Sequence, residues 1–157
     1  MGKEQDRPNV SPMVHPPVVA LMFIVIAYFL GRFLPFPFIA PMILRNVGLL
    51  MTFVGFLLGI SAFVEFRKAH TTLDLHGSAK QLVTSGIYRF TRNPIYLGFL
   101  LIVIGLPLNS GLYWGVAMAP FYIVTMNHLV IELEEMYLGK KFKDAYASYA
   151  SRVRRWI

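Results

Sequence analysis

The segment Arg92-Asn93-Pro94 places a guanidinium, an amide and a proline directly before an apolar stretch. Asparagine is a preferred N-cap residue and proline is favoured at the first helical position, so the segment predicts a helix that begins at Pro94. The free N–H groups at such a helix start can bind an anion, and the Arg92 guanidinium is suited to a carboxylate or a phosphate. Gly86 gives the preceding loop a sharp turn. The segment therefore has the chemistry to hold an anionic ligand.

A membrane re-entry loop is a simpler interpretation of the same residues. Arg89 and Arg92 would then be basic anchors at the cytoplasmic side, and Tyr88 and Tyr96 would belong to the aromatic belt. Composition alone favours this interpretation over a ligand site.

Three glutamates, Glu132, Glu134 and Glu135, lie within four residues at the end of the last apolar stretch. A helix C-terminus carries a partial negative charge, so these carboxylates need compensation from the loop arginines, the tail lysines or a bound cation. A solvated helix end that pairs with lysine and arginine is one interpretation. A metal site is a weaker one, because helical spacing adds only one histidine, His128, to the face of Glu132 and Glu135. We therefore predict no metal.

The composition indicates that a membrane surrounds these residues. Of the 157 residues, 56% are hydrophobic and 15% are charged, against roughly 25% charged in a typical soluble domain. The chain has no cysteine, which excludes disulfides and thiolate metal sites. Its net charge is +7, but most basic residues flank apolar stretches, so membrane lipids are simpler partners than nucleic acid.

Four apolar stretches predict the fold class, and they cover residues 18–34, 46–66, 94–108 and 111–131. A spanning helix needs about 20 residues, so the third stretch is short. A tight turn at residues 108–111 would make the last two stretches a helical hairpin. We predict an all-α fold, a polytopic membrane helix bundle of about four transmembrane helices plus a C-terminal amphipathic helix.

The basic residues also predict an orientation. They concentrate between the second and third stretches and after the fourth, so the positive-inside rule places both regions in the cytoplasm. We expect one integral-membrane domain with an N-terminal cytoplasmic tail (1–16), a cytoplasmic cofactor loop (67–93) and an amphipathic cytoplasmic tail (136–157) on the membrane surface. The loop and the glutamates then share one side of the membrane. A ligand with both an ammonium and a carboxylate suits them, and the methionine moiety of S-adenosylmethionine is such a ligand.

The second half of the chain, from about residue 67 to 157, resembles the isoprenylcysteine carboxyl methyltransferase and phospholipid methyltransferase group of small integral-membrane enzymes. The residues that carry the resemblance are Leu82-Val83, Gly86-Ile87-Tyr88, Arg92-Asn93-Pro94-Ile95-Tyr96-Leu97-Gly98, Glu134-Glu135-Met136-Tyr137-Leu138 and Tyr146-Ala147-Ser148-Tyr149. Each motif is short, and the combination is specific.

The resemblance implies a methyltransferase that uses S-adenosylmethionine at the cytoplasmic face. It implies that Leu82, Val83 and Gly86 line the adenosine, that the start of the third span holds the methionine end, and that Glu134 or Glu135 binds the ammonium. The implied cofactor-binding set is Leu82, Val83, Gly86, Tyr88, Asn93, Pro94, Tyr96, Gly98, His128, Glu134 and Glu135. The implied catalytic set is Arg92, Glu134 and Glu135.

The acceptor is left open between the carboxylate and the amine of a lipid-like molecule, either a lipophilic small molecule or a lipid-anchored substrate. Asn93 stands where the carboxyl methyltransferases usually have histidine, and Lys143 replaces a common glycine. Val130-Ile131 replaces an Arg-Ile pair, which weakens the case for a prenylcysteine substrate. An amine acceptor must lose a proton, and crowding among the three glutamates would raise a carboxyl pKa enough to help.

Two other functions remain open at this point. Membrane sterol reductases that use NADPH have a related C-terminal signature, although the chain is short for that group. A non-catalytic membrane adaptor would bind neither cofactor. Gly55 and Gly59 form a small-residue face that suits either an oligomer or packing within one chain, so the oligomeric state is unknown.

Overall fold

The computed structural model describes residues 15–69 and 81–157, and this part of the chain is helical without strands. The α-helices are α1 (Pro16–Phe33), α2 (Met42–Lys68), α3 (Pro94–Asn109), α4 (Trp114–Met126) and α5 (Glu132–Arg152). A 3₁₀ turn covers Gly86–Arg89, and a π-helical segment, Asn127–Ile131, joins α4 to α5. The prediction of an all-α fold is confirmed. The expected tail 1–16 and the middle of the loop 67–93 lie largely outside the described residues.

Three helices in the described ranges are long and apolar enough to cross a membrane. They are α1, α2 and the helical run Trp114–Arg152, whose backbone is kinked at Lys143 (φ +44°, ψ −119°). The remaining predicted span, the third along the chain, is α3, which is apolar but has only 16 residues. Large side chains such as Leu21, Phe53 and Ile60 face outwards on α1 and α2, and their number suits a lipid solvent better than water.

Glycines bring α2 and α3 together. A Cβ atom at Gly98 would lie 2.6 Å from the carbonyl oxygen of Gly55, and one at Gly105 would lie 2.5 Å from that of Gly48. Only residues without a side chain allow two helix backbones to approach so closely, as in packed membrane helices. Gly55 therefore packs within the chain, whereas a Cβ at Gly59 would meet nothing within 4 Å.

The turn expected near residues 108–111 is present between α3 and α4. Gly111 has φ +90°, a conformation that favours glycine, and its N–H donates to the carbonyl of Leu108 at 2.9 Å. Beyond the turn, α4 continues through the π segment into α5. Tyr122, Met126 and Ile131 of this continuous helix are fully buried, and they fix it against α1 and α3.

Candidate functional site

The loop before α3 is held against α5. Gly86 has φ +57°, as expected for a sharp turn. Tyr88 is buried in a cluster with Val83 of the loop and Ala62 of α2. The hydroxyl of Tyr149 on α5 donates to the Tyr88 carbonyl oxygen at 2.8 Å. The buried face of α5 thus packs on the loop.

The helix start at Pro94 was correctly predicted, but the expected side-chain cap by Asn93 was wrong. α3 begins at Pro94 with Asn93 at the N-cap position, yet the Asn93 side chain makes no capping hydrogen bond. Its amide Nδ2 instead donates to the Arg155 carbonyl oxygen at 2.9 Å, and its backbone N–H donates to Thr91 Oγ1 at 3.1 Å. The buried Asn93 therefore ties the loop to the C-terminal segment, residues 153–157.

Arg92 lies beside Glu135. Its Nη1 is 3.1 Å from Glu135 Oε1 and 3.2 Å from the hydroxyl of Tyr146. Its backbone N–H donates to the Arg154 carbonyl oxygen at 3.0 Å. The side chain is 16% exposed, and no acceptor in the described part of the chain reaches its buried Nε. A buried guanidinium N–H without an acceptor is costly, so this nitrogen is suited to a ligand oxygen.

Glu135 is the centre of a charged cluster, which consists of Arg92, Glu132, Glu135 and Arg155. Arg155 approaches Glu135 with two nitrogens, Nη2 to Oε2 at 2.6 Å and Nε to Oε1 at 3.2 Å, and its Nη1 is 3.8 Å from Glu132. Hydrogen bonding to Glu135 raises the pKa of Arg155. The compensation expected for the glutamates thus comes from one loop arginine and one arginine near the C-terminus.

Glu134 has different surroundings. Its Oε1 accepts a hydrogen bond from the hydroxyl of Tyr96 at 2.9 Å, and none of the ion pairs between described residues includes it. It lies three residues beyond Ile131, the last residue of the apolar part of the helical run Trp114–Arg152. Burial of the carboxyl group raises its pKa to about 7, with a further contribution from Glu135. This carboxyl group can therefore gain or lose a proton near neutral pH.

His128 lies at the rim of the charged cluster. Its Nδ1 is 3.1 Å from Glu132 Oε2, and the two side chains are 67% and 41% exposed. The described residues contain no group of three metal-ligating side chains. Whether His128 binds a cofactor stays a prediction.

The remaining predicted cofactor residues divide between the loop and α3. Leu82 and Gly86 lie at the accessible surface of the loop, and Val83 and Tyr88 are buried behind it. Gly98 lies in the α2–α3 interface. Their assignment to a cofactor stays a prediction.

The C-terminal segment is the part of the site that the sequence analysis missed. It supplies the Arg155 guanidinium and the two carbonyl oxygens that bind Arg92 and Asn93, and the indole of Trp156 donates to Asn127 Oδ1 at 3.1 Å. The expected position of residues 136–157 on the membrane surface stays a prediction. The sequence does not distinguish between the arginines at 152, 154 and 155. The helix ends at Arg152, and in the segment after it Arg155 is the arginine that bonds Glu135.

The chain is similar to known methyltransferases. Residues 43–145 match the phospholipid methyltransferase family. Protein-S-isoprenylcysteine O-methyltransferase A of Arabidopsis thaliana is 32% identical over 116 residues, which are 69% of this chain and 56% of that protein. The Schizosaccharomyces pombe protein-S-isoprenylcysteine O-methyltransferase is 28% identical over 102 residues, 64% of this chain and 43% of that protein.

An uncharacterized protein of Haemophilus influenzae is 41% identical over 66 residues, which are 40% of this chain and the whole of that protein. The chain spans about half the length of the methyltransferases it matches. No solved structure matches it significantly.

Proposed function

Because the chain belongs to the phospholipid methyltransferase family, we propose that it is an integral-membrane methyltransferase that transfers a methyl group from S-adenosylmethionine to a lipophilic acceptor. The resemblance seen in the sequence is confirmed, and the family implies a methyl donor. The reductase and adaptor alternatives are not favoured.

The unpartnered Nε of Arg92 is the observation that carries the proposal. It offers a buried donor for a carboxylate oxygen, while Glu134 offers a carboxyl group that takes part in no ion pair between described residues. The amino-acid end of S-adenosylmethionine has one carboxylate and one ammonium, which fit these two groups. Loop residues such as Leu82, Val83 and Gly86 would then line the adenosine.

The two neighbouring glutamates take separate roles in this proposal. Glu135 is already bound by two guanidinium groups, so it orients Arg92 and Arg155. Glu134 binds the cofactor ammonium or, with an amine acceptor, accepts the proton that the amine must lose. When bound, the cofactor supplies an electrophilic methyl group, and the protein contributes chiefly by positioning the acceptor in line with it.

The proposed acceptor is a lipid-like molecule with a carboxylate or an amine. It enters from the bilayer, because the charged cluster lies at the end of the apolar helices. The loop and both termini face the cytoplasm in this proposal, in agreement with the distribution of lysine and arginine. The named relatives act on isoprenylcysteine, so prenylated cysteine belongs among the candidates beside amine-bearing phospholipids.

Binding and methyl transfer test the proposal together. Purified protein in lipid nanodiscs is titrated with S-adenosylhomocysteine and with NADPH, and radiolabelled methyl incorporation is measured over a panel of lipids. We expect S-adenosylhomocysteine to bind and NADPH not to bind. Arg92→Lys keeps the charge but loses Nε, and we expect at least tenfold weaker binding. Arg89→Lys, in the exposed part of the same loop, is the control.

The proposal fails if the protein binds NADPH alone, or if Arg92→Lys binds S-adenosylhomocysteine as tightly as the control Arg89→Lys does.

A further inference from the structure

Glu65 is a buried carboxylate outside the charged cluster. It lies in the last turn of α2, and only 10% of its side chain is exposed. A helix C-terminus disfavours a negative charge, and burial disfavours it further. A glutamate at this position therefore needs specific partners.

The partners of Glu65 connect α2 to residues 81–89, a part of the loop before α3 that is called loop 81–89 below. Ser85 Oγ donates to Glu65 Oε2 at 2.5 Å, across twenty positions of the chain. Lys68 Nζ donates to Oε1 at 2.8 Å, but the Lys68 side chain is 67% exposed. Ser85 is thus the partner that fixes the loop, and Lys68 is a surface partner of small energetic weight.

Gly86 completes the contact between Glu65 and the loop. A Cβ atom at Gly86 would lie 2.5 Å from Glu65 Cδ and 2.7 Å from Oε1, and its φ of +57° also favours glycine. The backbone of the loop therefore rests directly on the carboxylate. On its other side, the loop is bound by Tyr149 of α5. The loop is held between α2 and α5.

We propose that Glu65 is a positioning residue, which holds loop 81–89 at the distance from the charged cluster that the cofactor requires. This inference rests on the proposed function, since the same loop is expected to line the adenosine. Glu65 itself touches neither cofactor nor acceptor. Its loss would weaken cofactor binding and leave the chemistry of the bound state almost unchanged.

Cofactor binding and kinetics test this role. Ser85→Ala leaves α2 intact and removes the hydrogen bond from Ser85 to Glu65. We therefore expect the Kd for S-adenosylhomocysteine and the KM for S-adenosylmethionine to rise about tenfold. The kcat should stay within about twofold. Glu65→Ala should act similarly, and Glu65→Gln, which still accepts a hydrogen bond from Ser85, should recover most of the affinity. Lys68→Gln is the matched control and should bind like the unmodified protein.

A distance measurement separates this inference from the proposed function. The chain has no cysteine, so Phe90→Cys in the adjoining segment and Ser148→Cys on α5, both exposed, can carry two spin labels without further changes. We expect a broader distance distribution when Ser85→Ala is added. If the unmodified protein binds no S-adenosylhomocysteine, the proposed function fails, and the distance measurement alone decides the positioning role. An unchanged distribution, or unchanged affinity in Ser85→Ala, overturns the positioning role.

Discussion

Glu134 combines a raised pKa with a position beside the charged cluster, and Glu134→Gln tests both. Glutamine keeps nearly the same shape and still accepts the hydrogen bond from Tyr96, but it cannot ionise. In the folded protein the pKa of Glu134 is raised from 4.5 to about 7. Glu134 therefore ionises more easily in the unfolded chain than in the folded protein. As the pH rises from about 4.5 to about 7, this difference lowers the free energy of unfolding of the protein.

The size of the effect follows from the pKa change. At roughly 1.4 kcal/mol per pKa unit, the loss amounts to at most about 3 kcal/mol above pH 7. Below pH 4.5 the glutamate is protonated in both states and the loss vanishes. We therefore expect the free energy of unfolding of Glu134→Gln, relative to that of the unmodified protein, to rise by up to about 3 kcal/mol as the pH is raised from 4 to 8.

Thermal unfolding in detergent, followed by tryptophan fluorescence across this pH range, measures the gain. Asp144→Asn, an exposed carboxylate on the same helix, is the control and should show no comparable trend. A constant difference between Glu134→Gln and the unmodified protein from pH 4 to pH 8 would refute the reasoning, because it would mean that Glu134 ionises as readily in the folded protein as in the unfolded chain.

Two further substitutions test the backbone. Lys143 has φ +44° inside α5, and Lys143→Gly should raise the free energy of unfolding by about 1–2 kcal/mol, measured by denaturant titration in detergent; a destabilised variant would contradict this strain. Gly98→Ala should lower the same free energy by about 1–3 kcal/mol, because its Cβ would meet the Gly55 carbonyl. Gly59→Ala, which meets open space, is the control, and equal effects at both glycines would contradict the close packing.

The sequence predicted those parts of the site that depend on neighbouring residues. The start of α3 followed from Pro94, whose ring suits the first turn of a helix. The need of the glutamates for compensating charges also followed from the sequence, with the loop arginines as one of three candidates, and Arg92 lies beside Glu135. The helix end expected at these glutamates was wrong, because the helix continues through them to Arg152. The positive φ of Lys143 accounts for the glycine that the family commonly has at this position, but it does not account for the lysine of this chain.

Contacts between segments that are distant in the chain could not be predicted from the sequence. The amide of Asn93 was expected to cap α3, but the Arg155 carbonyl oxygen, 62 positions away, competes for it. The amphipathic pattern of α5 did not identify the partners of its apolar face, where the Tyr146 hydroxyl accepts a hydrogen bond from Arg92 and the Tyr149 hydroxyl donates one to the Tyr88 carbonyl oxygen. The placement of this helix on the membrane surface stays a prediction. A period of three to four residues gives the direction of an apolar face relative to its own helix, and it does not identify the partner of that face.

The shortness of α3 has a consequence for the surrounding bilayer. Its 16 residues span about 24 Å at 1.5 Å per residue, less than the roughly 30 Å hydrocarbon core. Hydrophobic mismatch of this size is relieved when the bilayer thins next to the short helix. Thinning draws lipid headgroups inward beside α3, towards the end that carries Arg92 and the glutamates. Under the proposed function, the short helix would bring the polar part of a lipid acceptor to the charged groups, and the acceptor would not have to leave the membrane.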